Sequence, residues 1–343
     1  MKKYFIFLAS AAMLFATSCA KEEVNTTGET ELITVQLNPE TKTALGAEGT
    51  TAWDADDEVS VTVGGKVVGT LSLVEGSTFS GEITAGLSGE AILNYPAGVT
   101  TVPASQAAVE GSFADGAALL EGTTTVEDLR AGEGVELQNK TALLQFTVAK
   151  AGDVTFEVGT AKYTVTSCAT GKTYYACVAP ASNVAFTARI GGYLSKKASK
   201  NPTFTANKIA DLGTLPAPVL STWRLVGNFN GIDKWNIKDG SVAMFKEGTN
   251  LYVAKDVTLT AKDYWKFNNN DGWNEWVGSY SSSNFDSECY SLMQNHGINN
   301  KYGTHHTWGD FKSNFGAAAG TYDIYLNVGT DKYGDAAVWV EKK

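Results

Sequence analysis

The fold of this chain is constrained most by short alternations of apolar and polar residues, separated by Gly, Asn, Asp and Pro. Ile33, Val35 and Leu37 alternate with polar neighbours. The same spacing returns at Val59, Val61 and Val63, then at Val67 to Leu73, Ala91 to Tyr95, Leu143 to Val148, Val154 to Val158 and Tyr163 to Val165. A period of two sends successive side chains to opposite faces, so each run predicts a half-buried strand rather than a helix of period 3.6. Gly64 and Gly65, between Val63 and Lys66, predict a tight hairpin, because turns that match strand twist need positive φ. No long amphipathic helix is expected; Thr125 to Arg130 has the composition for one helical turn. The predicted class is all-β.

Composition narrows the function classes. A formal charge of −10 argues against a nucleic-acid groove, which needs clustered Lys and Arg to displace counterions. Lys196, Lys197 and Lys200 read as a solvated loop. Cys168, Cys177 and Cys289 match no zinc spacing, and His296, His305 and His306 show no His-x-His or His-x3-His pattern, so neither metal nor cofactor is expected. Cys168 and Cys177 flank a turn-like Thr170-Gly171-Lys172, and whether they pair depends on register. After the first residues no segment approaches eighteen consecutive apolar residues, so no transmembrane helix is expected.

The first residues read as an address. Met1-Lys2-Lys3 is a basic start, Tyr4 to Ala16 is an apolar run too short to span a bilayer, and Thr17-Ser18-Cys19-Ala20 is a small-residue cleavage site ending in cysteine. This is the pattern of a bacterial lipoprotein signal. It predicts removal of residues 1–18, lipidation of Cys19 and a tether over 19–30, anchoring the protein to the outer membrane. Lys21-Glu22-Glu23 resembles the lysine-plus-acidic export signal of Bacteroidota surface lipoproteins, which implies exposure on the cell surface.

Residues 216–222 contain two of the seven prolines, and composition shifts there. Trp53 precedes this linker, whereas Trp223, Trp235, Trp265, Trp273, Trp276, Trp308 and Trp339 follow it. Two units are therefore expected: residues 31–215, in two lobes dividing near 130–140, and residues 223–343.

Within the first unit, Trp53 precedes an acidic turn and an alternating strand, which predicts an aromatic covering one edge of a core. The stretch from Thr43 to Val61 resembles the signature of fimbrillin-like proteins of Bacteroidota. Asn94-Tyr95-Pro96-Ala97 is similar to their strand-ending tyrosine-proline, Leu137 to Phe146 to their central strand, Tyr174 to Pro180 to a later one, and Asn207 to Leu215 to their closing segment. The resemblance implies two tandem β-sandwich lobes that serve as fimbrial subunits or as a stalk. The continuation into a second unit favours the stalk.

In residues 223–343, strands are expected at Trp223 to Val226, Leu251 to Val253, Val257 to Leu259, Tyr322 to Val328 and Ala336 to Val340. A hairpin is expected to run from Tyr264 to Phe267 through Asn268 to Gly272. About seven strands in this length predict an immunoglobulin-like sandwich. A pyranose ring stacks its C–H face on an exposed indole, while its hydroxyls take Asn, Asp and Lys partners. Trp235, Lys266, Asn268, Asn270, Asp271, Trp273, Trp276 and Trp308 are the candidate ligand-binding residues. Trp223, Trp265 and Trp339 read as core, which would point Lys266 toward solvent or ligand. The order of elements resembles the starch-binding modules of SusE and SusF outer-membrane lipoproteins, and this implies binding of a starch-like α-glucan or another polysaccharide beside an outer-membrane glycan transporter. Catalysis is not expected. The alternatives are a fimbrial tip or accessory adhesin subunit, and a glycosidase using carboxylates among Asp271, Glu275, Asp286, Glu288 and Asp310.

Overall fold

A computed structural model describes residues 28–39, 53–229, 232–234, 241–260, 263–269, 275–279, 303–305, 311–312, 319–328 and 335–343. The architecture is all-β, with one helical turn among the described residues. No helix among them is long and apolar enough to cross a membrane. Cys19 and its flanking signal lie outside the described residues.

The first lobe is a closed barrel. Its strands are β1 (Thr30–Pro39), β2 (Glu58–Val63), β3 (Lys66–Glu75), β4 (Thr78–Thr84) and β5 (Glu90–Tyr95), joined after β6 (Ser105–Ala107), which lies outside the barrel, by β7 (Leu120–Thr125) and β8 (Val135–Asn139). The hydrogen-bonded order is β1-β4-β3-β2-β5-β7-β8, and a parallel pairing of Leu37 with Val135 closes the ring. Inward alternation puts Ile33, Val35, Leu37, Val59, Val61, Phe79, Leu93 and Leu137 in one core. Gly64 and Gly65 make the two-residue turn between β2 and β3 with φ of +57° and +76°, values at which a Cβ would be strained. The expected helical turn is α1 (Val126–Ala131), capped by the Thr125 side chain and burying Val126 and Leu129 in the barrel core. Trp53 packs edge-on against Phe79 and Tyr95, with centroids 4.9 and 5.1 Å away, which fulfils its expected covering role.

Between β5 and β7 the chain leaves the barrel. There β6 (Ser105–Ala107) pairs in parallel with a strand of the second lobe before the chain returns, so the two lobes interlock. The run from Leu137 to Phe146 that reads as one central strand is divided between lobes. The Asn139 carboxamide accepts from the Thr141 amide and hydroxyl at 2.8 and 2.6 Å, turning the chain from β8 into β9 (Ala142–Val148).

The second lobe is a two-sheet sandwich. It contains β10 (Gly152–Val158), β11 (Ala161–Cys168), β12 (Tyr174–Val178), β13 (Phe186–Ile190), β14 (Tyr193–Lys197) and β15 (Ile209–Leu215). The sheets β14-β13-β10-β11-β6 and β12-β9-β15 enclose Leu144, Phe146, Phe156, Val165, Tyr174 and Phe186. Cys168 faces this core, whereas Cys177 faces outward from β12 against Ala114, Ala117, Ala118 and Leu143. The two thiols therefore lie on opposite sides of one sheet and both are free. Burial pushes each up to about 12, well away from the reactive thiolate. Lys196 and Lys197 lie exposed on edge strand β14, where charged side chains discourage pairing with another chain.

The C-terminal lobe comprises β16 (Leu220–Phe229), β17 (Ile232–Lys234), β18 (Val242–Lys246), β19 (Leu251–Leu259), β20 (Tyr264–Asn269), β21 (Glu275–Ser279), β22 (Gly303–His305), β23 (Phe311–Lys312), β24 (Gly320–Asn327) and β25 (Asp335–Lys342). Because β16 pairs with both β18 and β20, eight of these strands form a closed hydrogen-bonded circuit around Trp223, Leu225, Phe229, Trp265, Phe267, Tyr322 and Val338. Gly227 sits where β16 crosses β20; a Cβ there would collide with the Tyr264 carbonyl. The two strands expected at 251–253 and 257–259 are one strand, β19, interrupted by a bulge. Asp256 has a φ of +59°, and its amide donates to Asp323 at 3.1 Å.

Candidate functional site

The candidate site is built on β20. Trp265 and Phe267 alternate into the core beside Trp223, Leu225 and Val277. Pleating therefore sends Lys266 and Asn268 to the outer face of the circuit. Register sets their neighbours: Lys266 lies opposite Val226 on β16, and Asn268 lies opposite Arg224 on β16 and Trp276 on β21.

Two expectations are corrected here. Lys266 does leave the core, but it is only 4 % exposed and does not reach open solvent. Asn268 belongs to the strand rather than to the turn, because β20 continues its pairing through Asn269 opposite Glu275. Asn268 is fully buried, and neither its Oδ1 nor its Nδ2 has a hydrogen-bond partner among the described residues. An amide left so costs about 1–3 kcal/mol. Trp276 lies on β21. The structure thus brings Lys266, Asn268 and the backbone position of Trp276 onto adjacent strands. Trp235, Asn270, Asp271, Trp273 and Trp308 lie outside the described residues.

Trp223 and Trp265 are core residues, as the alternation requires. Trp339 is buried too, but its neighbours Val338 and Val340 take the inward positions, so it stands on the outer face. There it stacks on Tyr325 with centroids 4.8 Å apart and rings 3° from parallel. Glu341 accepts from the Trp339 indole at 3.4 Å and from the Tyr325 hydroxyl at 3.1 Å. Burial, then the Glu341 charge, raises the Tyr325 phenol above its ordinary value. Arg224, half-buried opposite Asn268, is a site residue that sequence reasoning missed; its place between Trp223 and Leu225 is the signal that would have put it on the outer face.

A second cluster seats the lobe on its support. The Arg189 guanidinium on β13 donates to Glu247 Oε2 at 2.7 Å and to Glu157 Oε1 at 3.3 Å, while Glu247 Oε1 accepts the Leu194 amide at 3.2 Å. Tyr193 packs on Phe245 with centroids 4.0 Å apart. Burial works against the Arg189 charge, but the two glutamates more than offset it and hold its value up. Nearby, Lys255 pairs with Asp323 at 3.1 Å. Burial raises the Asp323 carboxyl, yet the Asp256 amide, Lys255 and Lys343 together hold it below its ordinary value.

Of the carboxylates that a glycosidase would need, Glu275 is placed only by its backbone on β21; Asp271, Asp286, Glu288 and Asp310 lie outside the described residues. Among the described residues no group of three or more His, Cys, Asp or Glu is arranged to hold a metal ion.

No protein-family model matches the chain, and no curated protein matches it. Solved structures similar to parts of it include the following three. A proposed cell adhesion protein from Bacteroides ovatus ATCC 8483 is 15% identical with a TM-score of 0.35, covering 54% of this chain and 92% of its own. A proposed cell adhesion protein from Bacteroides uniformis ATCC 8492 is 14% identical with a TM-score of 0.31, covering 53% and 92%. A fimbrial protein from Bacteroides ovatus ATCC 8483 is 12% identical with a TM-score of 0.29, covering 55% of this chain and 52% of its own.

Proposed function

We propose that this chain is a lipid-anchored cell-surface protein that binds polysaccharide through its C-terminal lobe, with the two N-terminal lobes as a stalk. The supporting observation is the outer face of β20. Lys266 and Asn268 are buried away from the hydrophobic core, beside the backbone position of Trp276. A packed interior gains nothing from an amide without a partner. Because Asn268 is closed to solvent, glycan binding in this reading displaces the residues that cover it, after which a sugar hydroxyl can donate to Oδ1 and accept from Nδ2. A tryptophan such as Trp276 suits the apolar face of the same ring. The protein acts in this reading by holding a glycan, such as a starch-like α-glucan, for an outer-membrane transporter, and not by cutting it.

Affinity gel electrophoresis of the full mature chain in a panel of α-glucans and other polysaccharides tests the proposal. Retardation by at least one polysaccharide is expected, and Trp276→Ala should weaken it by about 1–3 kcal/mol. No retardation by any polysaccharide contradicts the reading, as does release of reducing sugar by the purified protein.

A further inference from the structure

Tyr95, at the end of β5, takes part in a cluster that glycan binding does not use. Its hydroxyl lies 2.8 Å from Asp57 Oδ1 and 3.0 Å from Asp115 Oδ1. A phenol has one proton to donate. With both carboxylates ionised, one of them faces the lone pairs of the phenol oxygen; Asp57 and Tyr95 are buried there, while Asp115 stands exposed at the mouth of the site with water on its other side. The other oxygen of Asp57 is already engaged, accepting the Asp54 amide at 2.7 Å.

Among the described residues the surroundings supply no positive charge. Asp54 faces Asp57 from its own turn and Asp115 faces it from the crossing segment; Glu58 is engaged by the Ser72 hydroxyl of β3 at 3.3 Å. Among the described residues no Lys, Arg or His pairs with Asp54, Asp57 or Asp115. One additional proton satisfies every atom: the Asp57 carboxyl donates to the Tyr95 oxygen, and the Tyr95 hydroxyl donates to Asp115.

We propose that Asp57, Tyr95 and Asp115 share one exchangeable proton, and that this proton bolts the crossing segment to the barrel. The position gives the bolt its consequence. Asp57 lies in the turn before β2. Asp115 lies in the segment whose Ala114, Ala117 and Ala118 pack on Leu143, Tyr175 and Cys177 of the second lobe. The cluster therefore ties the barrel to the segment that interlocks the two lobes.

Electrostatics agree in direction. Burial raises the Asp57 carboxyl above its ordinary value; the Asp54 amide and the Tyr95 hydroxyl lower it, and the charges of Asp115 and Asp54 raise it again. Burial and both carboxylates also raise Tyr95, which keeps the phenol protonated. A carboxyl raised on folding stabilises the fold fully below its unfolded value and loses that contribution as pH climbs through its folded value. The junction is thus strengthened by acid.

Asp57→Asn tests the proposal, because its amide can donate permanently to the Tyr95 oxygen while its carbonyl accepts from Asp54. Thermal unfolding of the full mature chain and hydrogen-exchange protection across residues 113–118 are measured at pH 3, below the ordinary aspartate value of about 3.9, and at pH 8 for wild type, Asp57→Asn and Tyr95→Phe. Asp57→Asn should raise Tm by about 2–4 °C at pH 8 and change it little at pH 3. Protection of residues 113–118 should rise with acid in wild type and lose that dependence in Asp57→Asn. Tyr95→Phe should reduce protection at both pH values. An Asp57→Asn variant that is destabilised equally at both pH values overturns the proposal. So does a rise of the wild-type Tm on adding calcium at pH 8, which would put a cation where the proton is proposed.

Discussion

The N-terminal lobes and the C-terminal lobe bury their cores by the same alternation but use their outer faces differently. On the barrel, outward positions carry small polar pairs at the surface, such as Thr34 with Ser80 at 2.9 Å and Thr30 with Glu82 at 2.9 Å. In the second lobe, β12 is buried on both faces, and both are apolar, with Ala176 on one side and Cys177 on the other. In the C-terminal lobe, β20 is also buried on both faces, but Trp265 and Phe267 lie on one side and Lys266 and Asn268 on the other. An apolar second face is explained by packing against a neighbour. A polar one is not, and that difference separates a structural strand from a candidate binding strand.

The largest expected effect tests whether the lobes have separate cores. Trp265→Ala should cost about 3–5 kcal/mol and shift one calorimetric transition, whereas Phe156→Ala should shift another. A single transition that moves equally in both variants would break the comparison. Next comes the seat of the C-terminal lobe. Arg189→Ala strips the guanidinium from Glu247, whose side chain is only 7 % exposed, and should cost about 1–3 kcal/mol in chemical denaturation. Small-angle scattering should show a wider spread of lobe orientations.

The pH response sharpens the contrast further. Asp323 is lowered by its partners, so its stabilisation is present above the unfolded carboxylate value and is lost as pH falls through the folded one. Asp57 runs the opposite way. Asp323→Asn should therefore destabilise at neutral pH and matter less in acid, a profile that unfolding curves from pH 3 to pH 8 will distinguish from that of Asp57→Asn. The smallest effect is local: Gly64→Ala, at a φ of +57°, should cost about 1 kcal/mol in denaturant titration with no loss of glycan binding.

Legibility in the sequence followed the regularity of the alternation. Ile33, Val35 and Leu37, or Val59 and Val61, announced buried faces because nothing interrupted the period. Asn139 and Asp256 hid a lobe crossing and a bulge, since each redirects the backbone through hydrogen bonds that periodicity does not record. The interlocking β6 was invisible for a related reason: three residues are too few to carry a period. At the candidate site, the outward direction of Lys266 followed from Trp265 and Phe267. The run from Asn268 to Asn270 reads as a turn, and only the pairing with Arg224 and Trp276 reveals a strand that ends at Asn269.

The central claim is that the outer face of β20 binds glycan, and the most direct test is isothermal titration of the full mature chain with the polysaccharide that retards it most, comparing wild type with Lys266→Ala and Asn268→Ala. The account predicts that both variants keep the wild-type circular dichroism and lose affinity by about tenfold or more, as removal of a buried hydrogen-bonding partner implies. Unchanged affinity in both correctly folded variants would contradict it.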